Sequence, residues 1–137
     1  MAAIGRLVST ALMLALAATA PAADRKPDLD AWMDEAKRNF ATDAGKKYGE
    51  AFGKEFGVQY APTLNACAQE TGAPMGDDFD LLLKLGAKGG VDEAWVRPET
   101  KLAECFRKRA KARTYPAPPA AGYWVVTGVK FTKPTAP

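Results

Sequence analysis

The chain contains no histidine. That absence excludes Ser-His-Asp and Cys-His catalysis, histidine metal sites and haem attachment through C-x-x-C-H. Any general acid–base chemistry would rest on carboxylates, lysine or tyrosine. Cysteine is nearly absent too, with only Cys67 and Cys105. No long apolar run occurs after the first 22 residues, and charge of neither sign dominates, with 19 Lys and Arg against 16 Asp and Glu. This balance removes any bulk electrostatic case for nucleic acid.

The first residues read as a leader rather than as part of the fold. Arg6 supplies a positive start, Leu7 to Ala18 form an apolar run, and Ala20-Pro21-Ala22 offers small residues at the cleavage-determining positions. The run falls short of the roughly 20 apolar residues a permanent membrane helix needs, and no cysteine follows it for a lipid anchor. A signal peptide over 1–22 is expected, with a mature single domain over 23–137 and a periplasmic or secreted location in a bacterial envelope. Cleavage removes Arg6, so the 19 basic residues become 18, and no transmembrane segment is expected to remain. About 115 residues allow one modest core, burying roughly two-thirds of the unfolded surface. In an oxidising compartment the two cysteines favour their single intramolecular pairing over free thiols or an intermolecular bridge.

From Asp28 the pattern is helical, with Leu29, Trp32, Met33, Ala36 and Phe40 on one stripe. Asp28 is placed to cap it, and Asp30, Asp34 and Glu35 suit its positive end. Four tetrads of the form Gly-x-x-aromatic follow, Gly45 to Tyr48, Gly49 to Phe52, Gly53 to Phe56 and Gly57 to Tyr60. Spacing of four lays a glycine stripe beside an aromatic one on a helix. Each glycine costs about 1 kcal/mol against alanine, so the segment needs close packing or is only partly helical. The pattern suits either a flat glycine groove flanked by an aromatic platform, or a helix packed on its own sheet through Tyr48, Phe52 and Phe56. Stripes of this kind usually face a core, which favours the second. Pro62 suits the first turn of a new helix with Leu64, Cys67, Ala68 and Thr71 inward, which Gly72 stops. The stretch 28–60 is thus helical and precedes a unit over 61–133.

Phe79, Leu81, Leu83 and Leu85 alternate as a strand, Ala87 to Gly90 turns, and Val91 to Arg97 returns with Val91, Glu93 and Trp95 on one face. After Pro98 a helix carries Leu102, Cys105, Phe106 and Ala110 inward. Tyr115 to Pro119 reads as a proline-rich connector, and Tyr123 to Phe131 as a third strand with Trp124, Val126 and Lys130 on its other face. The expected class is α+β. It comprises a small three-stranded antiparallel sheet in β-β-α-β order, packed by a basic helix and two N-terminal helices and stapled by one disulfide, Cys67 to Cys105.

The order of these pieces resembles the C-terminal domain of TonB- and TolA-type periplasmic proteins, in the two-cysteine form found on gliding and envelope proteins. The residues carrying the resemblance are Leu64-Asn65-Ala66-Cys67, Gly89-Gly90-Val91, Leu102-Ala103-Glu104-Cys105-Phe106, Tyr115-Pro116-Ala117-Pro118 and Val125 to Phe131. It spans about residues 60–132 and leaves Asp28 to Tyr60 outside. It implies a non-enzymatic envelope domain that binds a protein partner, often through an exposed sheet edge. Without a retained anchor or a long linker, energy transduction is not expected.

Candidate partner-binding residues are Lys101, Arg107, Lys108, Lys111 and Arg113 on the basic helix, and Lys130 on the last strand. The expected function is a soluble periplasmic binding or adaptor module without catalytic activity, acting through a sheet edge or the basic helix. The alternative is an inhibitor or immunity protein against a secreted or wall-degrading enzyme. No cofactor, metal or nucleic acid is expected. Asp77, Asp78, Asp80, Asp92 and Glu93 are the only acidic clusters that enzyme chemistry could draw on, and they lack calcium-loop spacing and a nucleophile–base pair.

Overall fold

The computed structural model describes residues 27–73 and 77–131. Within them the chain forms α1 (Leu29–Ala41), α2 (Asp43–Thr71), β1 (Phe79–Leu85), β2 (Val91–Arg97), α3 (Lys101–Lys111) and β3 (Tyr123–Val129). The class is α+β, with a three-stranded antiparallel sheet ordered β2-β1-β3. The leader expected over 1–22 lies outside the described residues. Among those described, no helix is long and apolar enough to cross a membrane.

Asp28 caps α1 as its position suggested, accepting the Ala31 N–H at 3.1 Å. Only Thr42 separates α1 from α2, and its Oγ1 accepts the Gly45 N–H at 2.9 Å. A Cβ on Gly45 would lie 1.7 Å from the Asn39 carbonyl oxygen, so a side chain there is incompatible with so short a corner.

α2 corrects the reading of Pro62 as a helix start. It runs unbroken for 29 residues with Pro62 inside it. The missing N–H deprives the Val58 carbonyl of its usual partner, but Pro62 and Val58 both lie on the solvent side, where water replaces it. Buried residues on either side, Phe52 and Phe56 before and Leu64 and Cys67 after, hold both halves of the helix to one core. The tetrads belong to this helix. Tyr48, Phe52 and Phe56 are buried, and Gly53 and Gly57 face open space. The aromatics are therefore core residues, not a platform.

β1 lies at the centre of the sheet and is apolar on both faces, as a strand covered from both sides must be. Its Phe79, Leu81, Leu83 and Leu85 face α2 and α3 in the larger core, together with Phe106 and Val125. Leu82 points the other way, into a smaller core with Trp124, Ala36, Trp32 and Trp95 beneath α1. The face expected for Val91 is wrong. Lys84 pairs with Glu93 but Leu85 pairs with Val91, which leaves Asp92 as the extra residue of a bulge. Val91 consequently turns to the larger core with Ala94 and Val96, while Glu93, Trp95 and Arg97 stay on the α1 side.

The proline bend is docked rather than loose. Tyr115 N–H donates to the Gly89 carbonyl at 2.9 Å, and the Tyr48 hydroxyl donates to the Pro116 carbonyl at 2.8 Å. Gly89 sits at φ +88, and a Cβ would come within 1.8 Å of the Tyr115 oxygen, so the hairpin tip fits under the bend only as glycine. The disulfide Cys67–Cys105 joins α2 to α3 across a Cα–Cα distance of 5.7 Å, as the two inward stripes suggested.

Burial pushes the Tyr48 and Tyr115 hydroxyls from their ordinary value near 10 up to about 12. Burial favours the neutral phenol, so this contribution to stability is intact below pH 10 and disappears between about pH 10 and 12. Denaturant midpoints should accordingly hold up to pH 10 and fall steeply above it. Tyrosinate absorbance from Tyr48 and Tyr115 should appear together with unfolding, not before it.

Candidate binding edge

The sheet has two edge strands, and the fold treats them differently. On β3 the Asn39 amide donates to the Trp124 carbonyl at 3.1 Å, and just past its end the Tyr60 hydroxyl donates to the Lys130 carbonyl at 3.2 Å. Both carbonyls are approached from outside the sheet, so Trp124, Val126 and Gly128 are the β3 residues whose main chain points outward. Antiparallel pairing alternates along a strand, so Leu81 and Leu83 serve β3 while Asp80, Leu82 and Lys84 serve β2. The register then makes Arg97, Trp95 and Glu93 the inward partners on β2. Ala94 and Val96 are left with N–H and C=O aimed away from the sheet. Among the described residues no group outside β1 hydrogen-bonds to the main chain of Val91–Arg97. The bridge between Gly90 and Thr114 closes the edge just before it, and Pro98, with no N–H, ends it.

This edge lies in an open groove of about 910 Å³ that wraps around β2. One wall is aromatic. Trp32 stacks on Trp124 with centroids 4.6 Å apart and an interplanar angle of 14°, and Trp95 tilts against Trp32 at 5.9 Å. Lys84 Nζ sits 5.6 Å from the Trp124 centroid and 3.7 Å from Glu93. The Trp95 indole N–H is buried and has no acceptor among the described residues. The other wall is the flank of α3, with Glu99, Glu104, Arg107 and Lys111, and Asp92, Glu93 and Ala94 lie between.

The six residues expected to bind a partner do not form one surface. Arg107 is held by Glu104, its Nε and Nη2 donating to Oε2 at 3.0 and 2.9 Å, and lines the groove with Lys111. Lys101 and Lys108 flank the disulfide, where Arg109 pairs with Glu70 at 2.9 Å. Arg113 turns toward α2 and donates to Thr63 Oγ1 at 3.0 Å. Lys130 lies in a separate depression beside Asp78, Asp80 and Arg97. The helix is basic in composition, but its cations radiate around it and several already hold anionic or hydroxyl partners.

The acidic clusters separate as well. Asp78 accepts the Phe131 N–H at 2.8 Å and so secures the end of β3, whereas Asp92 and Glu93 border the groove. Among the described residues no group of three Cys, Asp or Glu is arranged to hold a metal ion. Sequence reasoning missed the tryptophan wall, because Trp32, Trp95 and Trp124 stand on three elements. No pattern local to any one of them records their meeting.

Comparison of the chain with protein-family models, curated proteins and solved structures gives no match.

Proposed function

We propose that the chain is a non-catalytic protein-binding module of the bacterial cell envelope, exported behind residues 1–22, that takes an extended segment of a partner protein as an added strand on β2. One observation carries this reading: Ala94, which borders the open groove, and Val96 next to it, though only 6 % and 3 % exposed, carry outward main-chain groups with no hydrogen-bond partner among the described residues. An incoming strand satisfies those groups, each hydrogen bond contributing about 0.5–1.5 kcal/mol net. Its alternate side chains rest on the Trp95 side and on the α3 flank, and that is where selectivity arises. Charge capture by the basic helix is the weaker mechanism, since its cations are dispersed.

The test is capture of a partner from cell-envelope extract by the chain expressed with its own leader. Ala94→Pro removes an outward N–H and leaves the inner ladder intact, and because Ala94 packs in the larger core the variant's fold is checked by circular dichroism before capture is compared. The substitution is expected to reduce capture at least tenfold, whereas replacing Lys101 and Lys108, which lie outside the groove, with alanine together leaves capture within about twofold. A photo-crosslinker at the exposed Asp92 of the otherwise unaltered chain should label the same partner. Undiminished capture by folded Ala94→Pro, or crosslinks confined to the Lys101–Lys108 flank, would overturn the reading.

A further inference from the structure

Resting on that reading, we propose that the occupant of the β2 edge in the absence of a partner strand is the β2 edge of a second copy of this chain, joined antiparallel about a two-fold axis at Trp95. The free window determines the register. It runs from Glu93 to Arg97, bounded by the Asp92 bulge and by Pro98, and its centre is Trp95. Pairing centred there sets Ala94 opposite Val96 of the other copy, so the outward N–H and C=O groups satisfy one another. The bulge of one copy meets the proline of the other, and pairing stops at both ends for the same reason.

Charge complementarity singles out this occupant. On the α1 side the row Glu93, Trp95, Arg97 reads acid, aromatic, base, so reversal places Glu93 against Arg97 twice. Each new pair extends one already present, Lys84 to Glu93 at 3.7 Å and Asp30 to Arg97 at 2.6 Å. Trp95 meets its own counterpart as a close non-hydrogen-bonded pair, the geometry in which cross-strand aromatics interact best. On the opposite side of the sheet the groove lining reads Glu99 just before α3, then Glu104, Arg107 and Lys111 on it, with Glu104 and Arg107 already paired to each other at 2.9 Å. That row too is acidic in its first half and basic in its second, so an antiparallel copy sets acid against base again. Two independent rows are thus self-complementary under one axis, as an isologous interface requires. A same-direction pairing would set acid on acid in both. The dimer shields an edge that would otherwise invite uncontrolled pairing, and a partner strand must displace it.

The experiment is sedimentation of the full chain, expressed with its leader and purified in oxidised form, over a wide concentration range. The wild type is expected to show a monomer–dimer equilibrium. Glu93→Arg and Arg97→Glu should each weaken self-association about tenfold or more by opposing like charges twice. Mixing those two variants should give a one-to-one heterodimer, and combining both changes in one chain should restore the homodimer. Damage to folding cannot produce that rescue. A monomer at every concentration up to about millimolar, or single variants associating like the wild type, would overturn the inference. If the chain is monomeric yet Ala94→Pro still abolishes partner capture, the dimer is wrong and strand addition stands. If the charge rescue succeeds yet Ala94→Pro captures the partner undiminished, the dimer stands and the strand-addition reading falls.

Discussion

Phe106→Ala is expected to cost about 3–5 kcal/mol of unfolding free energy, the range for removing a large aromatic from a packed core. Phe106 is 2 % exposed and sits where three elements converge. Its ring lies 6.0 Å from Phe56 and 6.1 Å from Tyr60 on α2, and 5.7 Å from Phe79 on β1. Truncation leaves those rings facing a void they cannot close, because α3 is tethered to α2 one residue away at Cys105. A small domain has about 5–15 kcal/mol in total, so the variant should approach half-unfolding in low denaturant. Equilibrium urea unfolding is the measurement, with Phe106→Leu as a control expected to lose only about 1–2 kcal/mol. A loss below about 1 kcal/mol for the alanine variant would contradict the packing described.

Removing the disulfide, by Cys67→Ala with Cys105→Ala, is expected to cost about 2–4 kcal/mol. The bond closes a separation of 38 residues, and most of its effect comes from restricting the unfolded chain. Cys67 is fully buried and Cys105 only partly so, so the replacement also opens a small gap on the α2 side. The wild type in reductant should unfold slightly above the double variant in denaturant, since its thiols still fill the space the alanines leave empty. An unchanged midpoint in both would mean that the aromatic contacts alone hold α3 in place. Because Phe106 adjoins Cys105, the two losses should not add, and a double-mutant cycle should show coupling.

Several elements were legible because their information is local. Phe79, Leu81, Leu83 and Leu85 alternate with period two, so β1 and its inward face follow from the strand geometry itself. The same holds for α1, where Asp28 and the Leu29–Phe40 stripe specify both the start of the helix and its buried side. The disulfide followed from the expectation of an oxidising compartment and from the helical stripe on which each cysteine falls. Pro62 misled because a local rule was applied where packing on both sides of the proline outweighed it. Val91 misled because a bulge shifts parity, and nothing in the strand's own residues announces one.

By itself, then, the sequence determined the class, the order of the strands along the chain and the inward stripes, all of which depend on periodicity and on neighbours within a few residues. The tertiary structure alone decided which edge is open. Asn39 and Tyr60 reach across 85 and 70 residues to the carbonyl of Trp124 on β3 and that of Lys130 just beyond it, and among the described residues no such bond reaches β2. Likewise only folding brings Trp32, Trp95 and Trp124 into one wall and scatters the cations of α3 around its axis. The physical reason is the same throughout. A hydrogen-bonding group on an edge strand is satisfied or left free by residues distant in the chain, and no local pattern records their approach.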